Sequence, residues 1–140
     1  MRIACFLDTN VLIYAAAGKQ DEPHKFKIAE QIIQAEIFGV SGQVLAEFYV
    51  NVLKKPDIRL STSEAEQWID FLRQYPVAAV DGELVKQGIT YARKFRISYW
   101  DAALIAAAER LQAPILYTED LNHDQLYGSV RVINPFRPNE

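Results

Sequence analysis

Short apolar runs alternate along this chain with longer segments in which apolar residues recur at helical spacing. The first run, Ile3–Leu7, has the length and composition of a buried strand. By the same criteria, strands are predicted at residues 3–7, 39–41, 77–80, 114–117 and 130–133. Helices are predicted at residues 11–17, 23–38, 43–53, 65–75, 83–95 and 100–111. This alternation predicts an α/β fold, a three-layer sandwich in which a mostly parallel, four- to five-stranded sheet is flanked by helices.

The composition is that of an ordinary folded domain. A chain of 140 residues fits one domain with one core, so a single domain over residues 1–140 is expected. Half of the residues are hydrophobic and 24% are charged, which excludes a disordered chain. The net charge of −3 argues against a broadly basic nucleic-acid-binding surface. It does not exclude an enzyme that acts on nucleic acid, because bound cations and local basic patches can supply the positive field.

The cysteine content and the hydrophobic runs bear on the cellular compartment. Cys5 is the single cysteine, which excludes an internal disulfide and fits a reducing cytoplasm; we expect its thiol to be buried and inert. Asp8, Thr9 and Asn10 interrupt the apolar N-terminal run, and the sequence has no apolar stretch of about 18 residues. Neither a signal peptide nor a membrane span is therefore predicted, and we expect a cytoplasmic protein.

Four acidic residues border the predicted strands and helices. Asp8 directly follows the first strand, and Asp120 follows the strand near residue 117. Glu47 lies in the N-terminal half of the helix that follows the strand at Val40, and Asp101 lies in the first turn of a helix that runs antiparallel to the next strand. Because ligands bind outside the carboxyl ends of parallel strands, near a topological switch point, all four acids can share one end of the sheet.

Acids gathered in this way favour a divalent cation. Clustered carboxylates raise one another's pKa unless protons or cations intervene. Hard cations prefer oxygen ligands, and Mg²⁺ usually keeps several waters while it uses only one or two carboxylates directly. Such a site is suited to phosphodiester cleavage, because a metal-bound water can serve as the nucleophile. Asn10 and Thr118 are expected to help by donating hydrogen bonds to a phosphate or by orienting that water.

Each acid also has a purely structural interpretation. Asp8 or Asn10 can cap the helix that follows, since both residue types are good N-caps. An acid in the first turn, such as Asp101, favours the helix dipole. Glu47 can be a solvated helix residue, and residues 118–120 can form an ordinary turn. The shared placement at one edge of the sheet favours a common site over four separate roles.

Four segments together resemble the successive motifs of PIN domains, and most of all those of the VapC-type toxins of bacterial toxin–antitoxin pairs. The segments are Leu7–Tyr14 (LDTNVLIY), Gln43–Tyr49 (QVLAEFY), Ser98–Ala108 (SYWDAALIAAA) and Leu116–Leu121 (LYTEDL). The resemblance extends from about Ile3 to Ile133. Each motif alone is weak, but four of them in the right order and at compatible spacing are specific.

The resemblance implies a PIN-like fold and a Mg²⁺- or Mn²⁺-dependent endoribonuclease that cleaves RNA. It assigns metal binding and catalysis to four carboxylates and two supporting polar groups: Asp8, Glu47, Asp101, Asp120, Asn10 and Thr118. It also implies a homodimer that is held inactive by a small antitoxin protein, whose tail occupies the active-site groove.

Two positions need separate mention within this resemblance. Glu119 precedes Asp120, so either residue can be the fourth acid; the family motif, Thr-x-Asp, favours Asp120. Asp124 stands where close relatives often have glycine. Its charge is expected to lie near the mouth of the site, where it would weaken the approach of RNA or alter metal affinity.

Three other functions are weighed against the toxin. One is a PIN nuclease that acts in RNA processing without an antitoxin, and another is a non-catalytic interaction module with the same fold, which the intact acid set disfavours. The third is an aspartyl phosphotransferase with Asp8 as its nucleophile. Such enzymes usually carry a second acid two residues further on, and here Asn10 occupies that position.

Overall fold

The structure is a computed structural model that describes residues 2–54 and 60–138. Within these residues the strands are β1 (Cys5–Leu7), β2 (Phe38–Ser41), β3 (Val77–Ala78), β4 (Ile115–Tyr117), β5 (Leu126–Tyr127) and β6 (Val130–Ile133). The helices are α1 (Thr9–Ala17), α2 (Pro23–Ala35), α3 (Gly42–Lys54), α4 (Thr62–Leu72), α5 (Gly82–Phe95) and α6 (Tyr99–Arg110). Each predicted helix is present, with bounds shifted by up to three residues.

The strands form one sheet in the order β3-β2-β1-β4-β6-β5. All neighbouring pairs are parallel except β5 and β6. The mostly parallel sheet predicted from the sequence is therefore confirmed. It has six strands in the described part of the chain rather than four to five, because β5 was not predicted. That strand is only two residues long, and its Leu126 is 54% exposed, so it leaves no apolar run in the sequence.

The prediction of a buried strand at residues 77–80 was wrong in extent and burial. Strand β3 contains only Val77 and Ala78, and it lies at the edge of the sheet, where it pairs with β2 alone. Val77 is 36% exposed and Val80 is 51% exposed. Valine is common in strands because it suits a half-buried pleated surface, and this preference does not distinguish an edge strand from a central one.

The connections between the strands arrange the helices in two layers. Helices α1 to α4 lie between β1, β2 and β3, which follow one another in one direction across the sheet, whereas α5 and α6 lead back from β3 to β4. Because such crossovers are right-handed, the two groups cover opposite faces. Helix α1 packs on α2 and α3, while α5 packs on α6 and α6 lies against β2 and β4. This is the predicted three-layer sandwich.

Helix α6 is the most deeply buried helix described. Its residues Ala102–Ala108 are all buried, on every side of the helix, because it lies between α5 and the sheet. Its many alanines permit this close approach. Gly88 of α5 serves the same end, since a Cβ there would come within 2.9 Å of Tyr99 Cε1. The start of α6, which carries Asp101, is thereby fixed against the sheet.

Two further predictions concern the thiol of Cys5 and the possibility of a membrane-spanning helix. Cys5 is 1% exposed, and burial raises the pKa of its thiol to about 12, with a smaller contribution from the charge of Glu36. The expectation of a buried, unreactive thiol is confirmed. None of the helices in the described part of the chain has both the length and the hydrophobicity needed to cross a bilayer.

Candidate active site

Asp8 lies at the point where the chain order of the sheet reverses. Strand β1 has β2 on one side and β4 on the other, and Asp8 directly follows β1. Asp8 is the N-cap of α1, with an extended backbone, and its Oδ1 accepts a hydrogen bond of 2.6 Å from the Thr9 backbone N–H. The capping interpretation is therefore correct for Asp8. The cap uses only Oδ1, so it leaves the second oxygen, Oδ2, for other contacts. Asp8 is only 6% exposed.

Thr118 connects Asp8 to the loop after β4. The Thr118 hydroxyl donates to Asp8 Oδ2 at 2.7 Å and accepts from the Asp120 backbone N–H at 3.2 Å. The parallel register of β1 and β4 sets this contact, because Asp8 N–H also donates to the Tyr117 carbonyl at 3.1 Å. Thr118 is fully buried. The hydroxyl proton of Thr118 is donated to Asp8, so Thr118 orients Asp8, and its contact with a phosphate or a metal-bound water stays a prediction.

Burial makes the negative charge of Asp8 costly. Burial raises the pKa of Asp8 from 3.8 to about 6. The hydrogen bonds from Thr118 and Thr9 lower the pKa, and the charges of Asp120 and Glu47 raise it. The carboxylate is thus oriented by two donors, and no basic side chain is among the groups of the described residues that act on its pKa.

The charge of Asp120 acts on Asp101 as well. Asp101 lies in the first turn of α6, where its backbone N–H donates to the Ser98 hydroxyl at 3.1 Å. Burial raises the pKa of the Asp101 carboxyl, a side-chain hydrogen bond between this carboxyl and Ser98 lowers it, and the charge of Asp120 raises it further. Asp120 therefore acts on both Asp8 and Asp101, which brings three of the predicted acids into one electrostatic cluster.

Glu47 and Asn10 lie at the margin of this cluster. Ser41, at the end of β2, accepts a hydrogen bond from the Val44 backbone N–H at 3.2 Å and so fixes the start of α3. Glu47 follows in α3; its side chain is exposed, and Gln43 Nε2 donates to its Oε1 at 2.8 Å. The charge of Glu47 is the smallest contribution to the pKa of Asp8. Asn10 is half-buried in the first turn of α1.

Glu119 points to other partners than Asp120 does. Tyr14 OH donates to Glu119 Oε1 at 2.5 Å, and Lys25 Nζ lies 3.0 Å from Glu119 Oε2. Both Glu119 oxygens are thus engaged by α1 and α2, whereas Asp120 acts on Asp8. Sequence reasoning did not identify Tyr14 or Lys25 as functional candidates. Tyr14 ends the first motif, but nothing in the sequence distinguishes Lys25 from other exposed helix lysines.

Asp124 has a backbone that explains why glycine suits this position. Its φ of 68° lies in the left-handed region, which glycine adopts without strain and aspartate tolerates. Arg131 Nη1 donates to the Asp124 carbonyl at 2.8 Å and lies 3.4 Å from its Oδ1. This ion pair is exposed, so it offsets the negative charge of Asp124 only weakly.

The donor set fits a hard cation in part. Within residues 2–54 and 60–138, no group of three or more histidine, cysteine or acidic side chains lies close enough together to hold a metal ion. The acids of the cluster nevertheless offer only oxygen, and Mg²⁺ completes its shell with water when one or two carboxylates bind it. Asp8, buried and oriented, is suited to bind directly. Asp101 is half-exposed, and Asp120 and Glu47 are exposed, so solvent has access to all three carboxylates.

Comparisons with known proteins give a family and a fold. A family model described as the PIN domain matches residues 5–129. The solved structure of VapC20 from Mycobacterium tuberculosis, a toxin described as cleaving the sarcin–ricin loop, is 16% identical with a TM-score of 0.66, over 84% of this chain and 90% of that one. A toxin–antitoxin complex from Klebsiella pneumoniae is 16% identical with a TM-score of 0.68, over 94% and 98%. FitAcB from Neisseria gonorrhoeae is 19% identical with a TM-score of 0.59, over 96% and 99%.

These solved structures share the fold of the chain at low sequence identity. No curated protein sequence matches the chain significantly. The family model, in contrast, spans all four acids of the cluster and every strand up to β5. Because that model matches most of the sequence, the chain belongs to the PIN domain family.

Proposed function

We propose that the protein is a divalent-metal-dependent endoribonuclease that hydrolyses RNA phosphodiesters. The observation that carries the proposal is the state of Asp8: a buried carboxylate at the switch point of the sheet, oriented by Thr118 and opposed by the charges of Asp120 and Glu47. A purely structural N-cap needs neither the burial nor the neighbouring acids. A cation ligand benefits from both, since they leave a fixed negative site that Mg²⁺ or Mn²⁺ can neutralise.

Each residue of the cluster has a role in this proposal. Asp8 binds the cation directly, with its rotation restricted by the hydrogen bonds from Thr118 and the Thr9 backbone. Asp101, Asp120 and Glu47 bind the cation or accept hydrogen bonds from its waters, and Asn10 contributes a neutral polar group nearby. When bound, the cation supplies a water of lowered pKa and positive charge at the phosphate. We propose Asp120 rather than Glu119 as the fourth acid, because the carboxylate of Glu119 is already paired with Lys25.

RNA is proposed as the substrate because the sequence motifs resemble those of VapC-type toxins, and VapC20, similar in fold, is described as a toxin that cleaves the sarcin–ricin loop. We also propose a cytoplasmic homodimer with a small antitoxin partner. In support, one structure of similar fold is described as a toxin–antitoxin complex, and two others are described as VapBC bound to DNA. The alternative within the family is an RNA-processing nuclease without an antitoxin. A neighbouring small reading frame that encodes a DNA-binding protein would favour the toxin.

Cleavage of total RNA by the purified protein tests the proposal. The protein is incubated with total RNA in Mg²⁺, in Mn²⁺ or in EDTA, and new RNA ends are mapped by sequencing, with Asp8→Asn as the control. Discrete internal cuts are expected with either metal, and none with EDTA or with the variant. Absence of any metal-dependent cut in wild-type samples would instead favour a non-catalytic interaction module. Cuts that persist in EDTA would exclude the metal-dependent chemistry.

A further inference from the structure

We propose that Tyr14, Lys25 and Glu119 form a clamp that positions Asp120 in the metal site and withdraws Glu119 from it. Hereafter the clamp means these three side chains. The inference rests on the proposed function, because it concerns the same cation. Tyr14 and Lys25 are positioning residues: they act on the site through the loop after β4 rather than by contact with the cation or the RNA.

The clamp is a closed triangle of hydrogen bonds that joins three separate parts of the chain. Tyr14 belongs to α1, Lys25 to α2, and Glu119 to the loop after β4. Tyr14 OH donates to Glu119 Oε1 at 2.5 Å, Lys25 Nζ donates to Glu119 Oε2 at 3.0 Å, and Lys25 Nζ donates to Tyr14 OH at 3.3 Å. Since both carboxylate oxygens are engaged by different helices, Glu119 cannot rotate without breaking at least one bond.

Aromatic contacts hold the lysine in this arrangement. The ammonium of Lys25 lies 4.9 Å from the ring centroid of Tyr14 and 5.8 Å from that of Phe136. The two rings contact each other edge to face, with centroids 5.1 Å apart, and Phe136 is 6% exposed. Such cation–π contacts favour a charged lysine at this location. The Glu119 side chain is only 19% exposed, so the ion pair is partly shielded from water.

The clamp matters for Asp120 because of where the loop is fixed. Thr118 is held by the sheet: its hydroxyl donates to Asp8, and its backbone N–H donates to the carbonyl of Ile133 in β6 at 3.1 Å. Glu119 is held by helices α1 and α2, through its contacts with Tyr14 and Lys25. Asp120 follows immediately, and its side chain is exposed. Two fixed neighbours thus limit the backbone positions of Asp120, and metal ligands need positions defined to within about 0.5 Å.

The clamp also decides which of two adjacent acids faces the cation. Without Lys25, Glu119 would be a partly buried carboxylate without a cationic partner, adjacent to Asp120, and a metal cation would attract it. With Lys25 present, the charge of Glu119 is neutralised locally and both of its oxygens are engaged, so Asp120, whose side chain is exposed, is the acid of this loop that is available to the cation. The ordering of the loop and the choice of acid are therefore two effects of the same contacts.

Calorimetric titration of Mn²⁺ into RNA-free protein tests the clamp. Lys25→Met removes the charge but keeps an apolar stem, and it is expected to weaken Mn²⁺ binding by about tenfold, as supporting contacts around metal ligands typically do. Tyr14→Phe removes one hydroxyl and keeps the ring, so a smaller loss in the same direction is expected. This milder variant decides the matter if Lys25→Met does not fold.

Arg110→Met is the matched control. Arg110 Nη1 lies 3.0 Å from Asp81 Oδ2, the same distance as in the Lys25–Glu119 pair, but it joins α6 to the start of α5. The control is expected to lower urea stability to a similar extent and to leave Mn²⁺ affinity unchanged. The clamp would be overturned if both clamp variants bound Mn²⁺ as tightly as the wild-type protein, or if the control lost as much affinity as they do. In either case, binding of Mn²⁺ by the wild-type protein would still support the metal site. If the wild-type protein binds no Mn²⁺, the proposed function fails as well.

Discussion

Replacing Asp8 or Asp101 by asparagine is expected to reduce metal-dependent RNA cleavage by more than about a hundredfold, since even supporting contacts to metal ligands contribute ten- to a hundredfold. Both changes remove one negative charge and preserve the size of the side chain. An asparagine at position 8 can still accept from the Thr9 backbone N–H, because asparagine is as good an N-cap as aspartate. Circular dichroism and urea unfolding are therefore expected to report a folded protein.

A matched control separates the loss of a site acid from the loss of any acid. Asp70 of α4 has an exposed carboxylate, 3.6 Å from Arg73 Nη1, and its charge does not contribute to the pKa of Asp8. Asp70→Asn is expected to cleave RNA like the wild-type protein. Wild-type cleavage by Asp8→Asn and Asp101→Asn together would contradict the assignment of the active site.

The second expected result is that Asp8→Asn is more stable than the wild-type protein when no metal is present. The folded protein holds the Asp8 proton up to about pH 6, whereas the ordinary pKa is 3.8. Between these values the native state binds more protons than the unfolded state, so the free energy of unfolding falls as pH rises through this range. The rise of the pKa from 3.8 to about 6 corresponds to about 3 kcal/mol lost above pH 6.

Urea unfolding in EDTA at a series of pH values from 4 to 8 measures this effect. The difference between wild type and Asp8→Asn isolates Asp8 from the other titrating groups, and it is expected to grow in favour of the variant as pH rises. Adding Mn²⁺ near pH 7.5 is expected to stabilise the wild-type protein and not the variant, because only a bound cation compensates the buried charge. A variant that is less stable than wild type at every pH would contradict this prediction.

Together the two results would describe a residue that costs stability and supplies activity. The burial that disfavours the charge of Asp8 also restricts its carboxylate to one orientation, in which it accepts a hydrogen bond from Thr118. In that orientation Asp8 is ready to bind a cation. Such opposition between stability and activity is common at active sites. A purely structural cap would behave differently: because asparagine caps a helix as well as aspartate, its replacement would leave both stability and chemistry nearly unchanged.

The sequence was sufficient to predict the placement of the acids but not their contacts. Asp8 and Asp120 follow strands, and the rule for the carboxyl ends of parallel strands brings such residues together without any knowledge of side-chain directions. The parallel pairing of β1 with β4, on which this placement depends, is confirmed in the structure. The two-residue strands β3 and β5 were predicted poorly or not at all, because strands so short have no periodicity to detect.

The roles of Thr118 and Lys25 depend on tertiary structure that no local pattern encodes. The Thr118 hydroxyl meets Asp8 across 110 positions of sequence, and only the register of β1 and β4 determines that its proton goes there. Lys25 meets Glu119 across 94 positions, without a motif around it. The choice of Glu119 or Asp120 as the fourth acid also depends on tertiary structure, because adjacent residues share one sequence context and differ in the direction of their side chains.

The most direct test of a cation held by this cluster is anomalous diffraction from crystals grown with Mn²⁺. A single strong anomalous peak is expected next to Asp8, within ligand distance of its carboxylate and close to Asp101 and Asp120, with Glu119 still paired to Lys25. If Mn²⁺ at saturating concentration gave no anomalous peak beside Asp8, or gave peaks only elsewhere in the molecule, the assignment of these acids as a metal site would be contradicted.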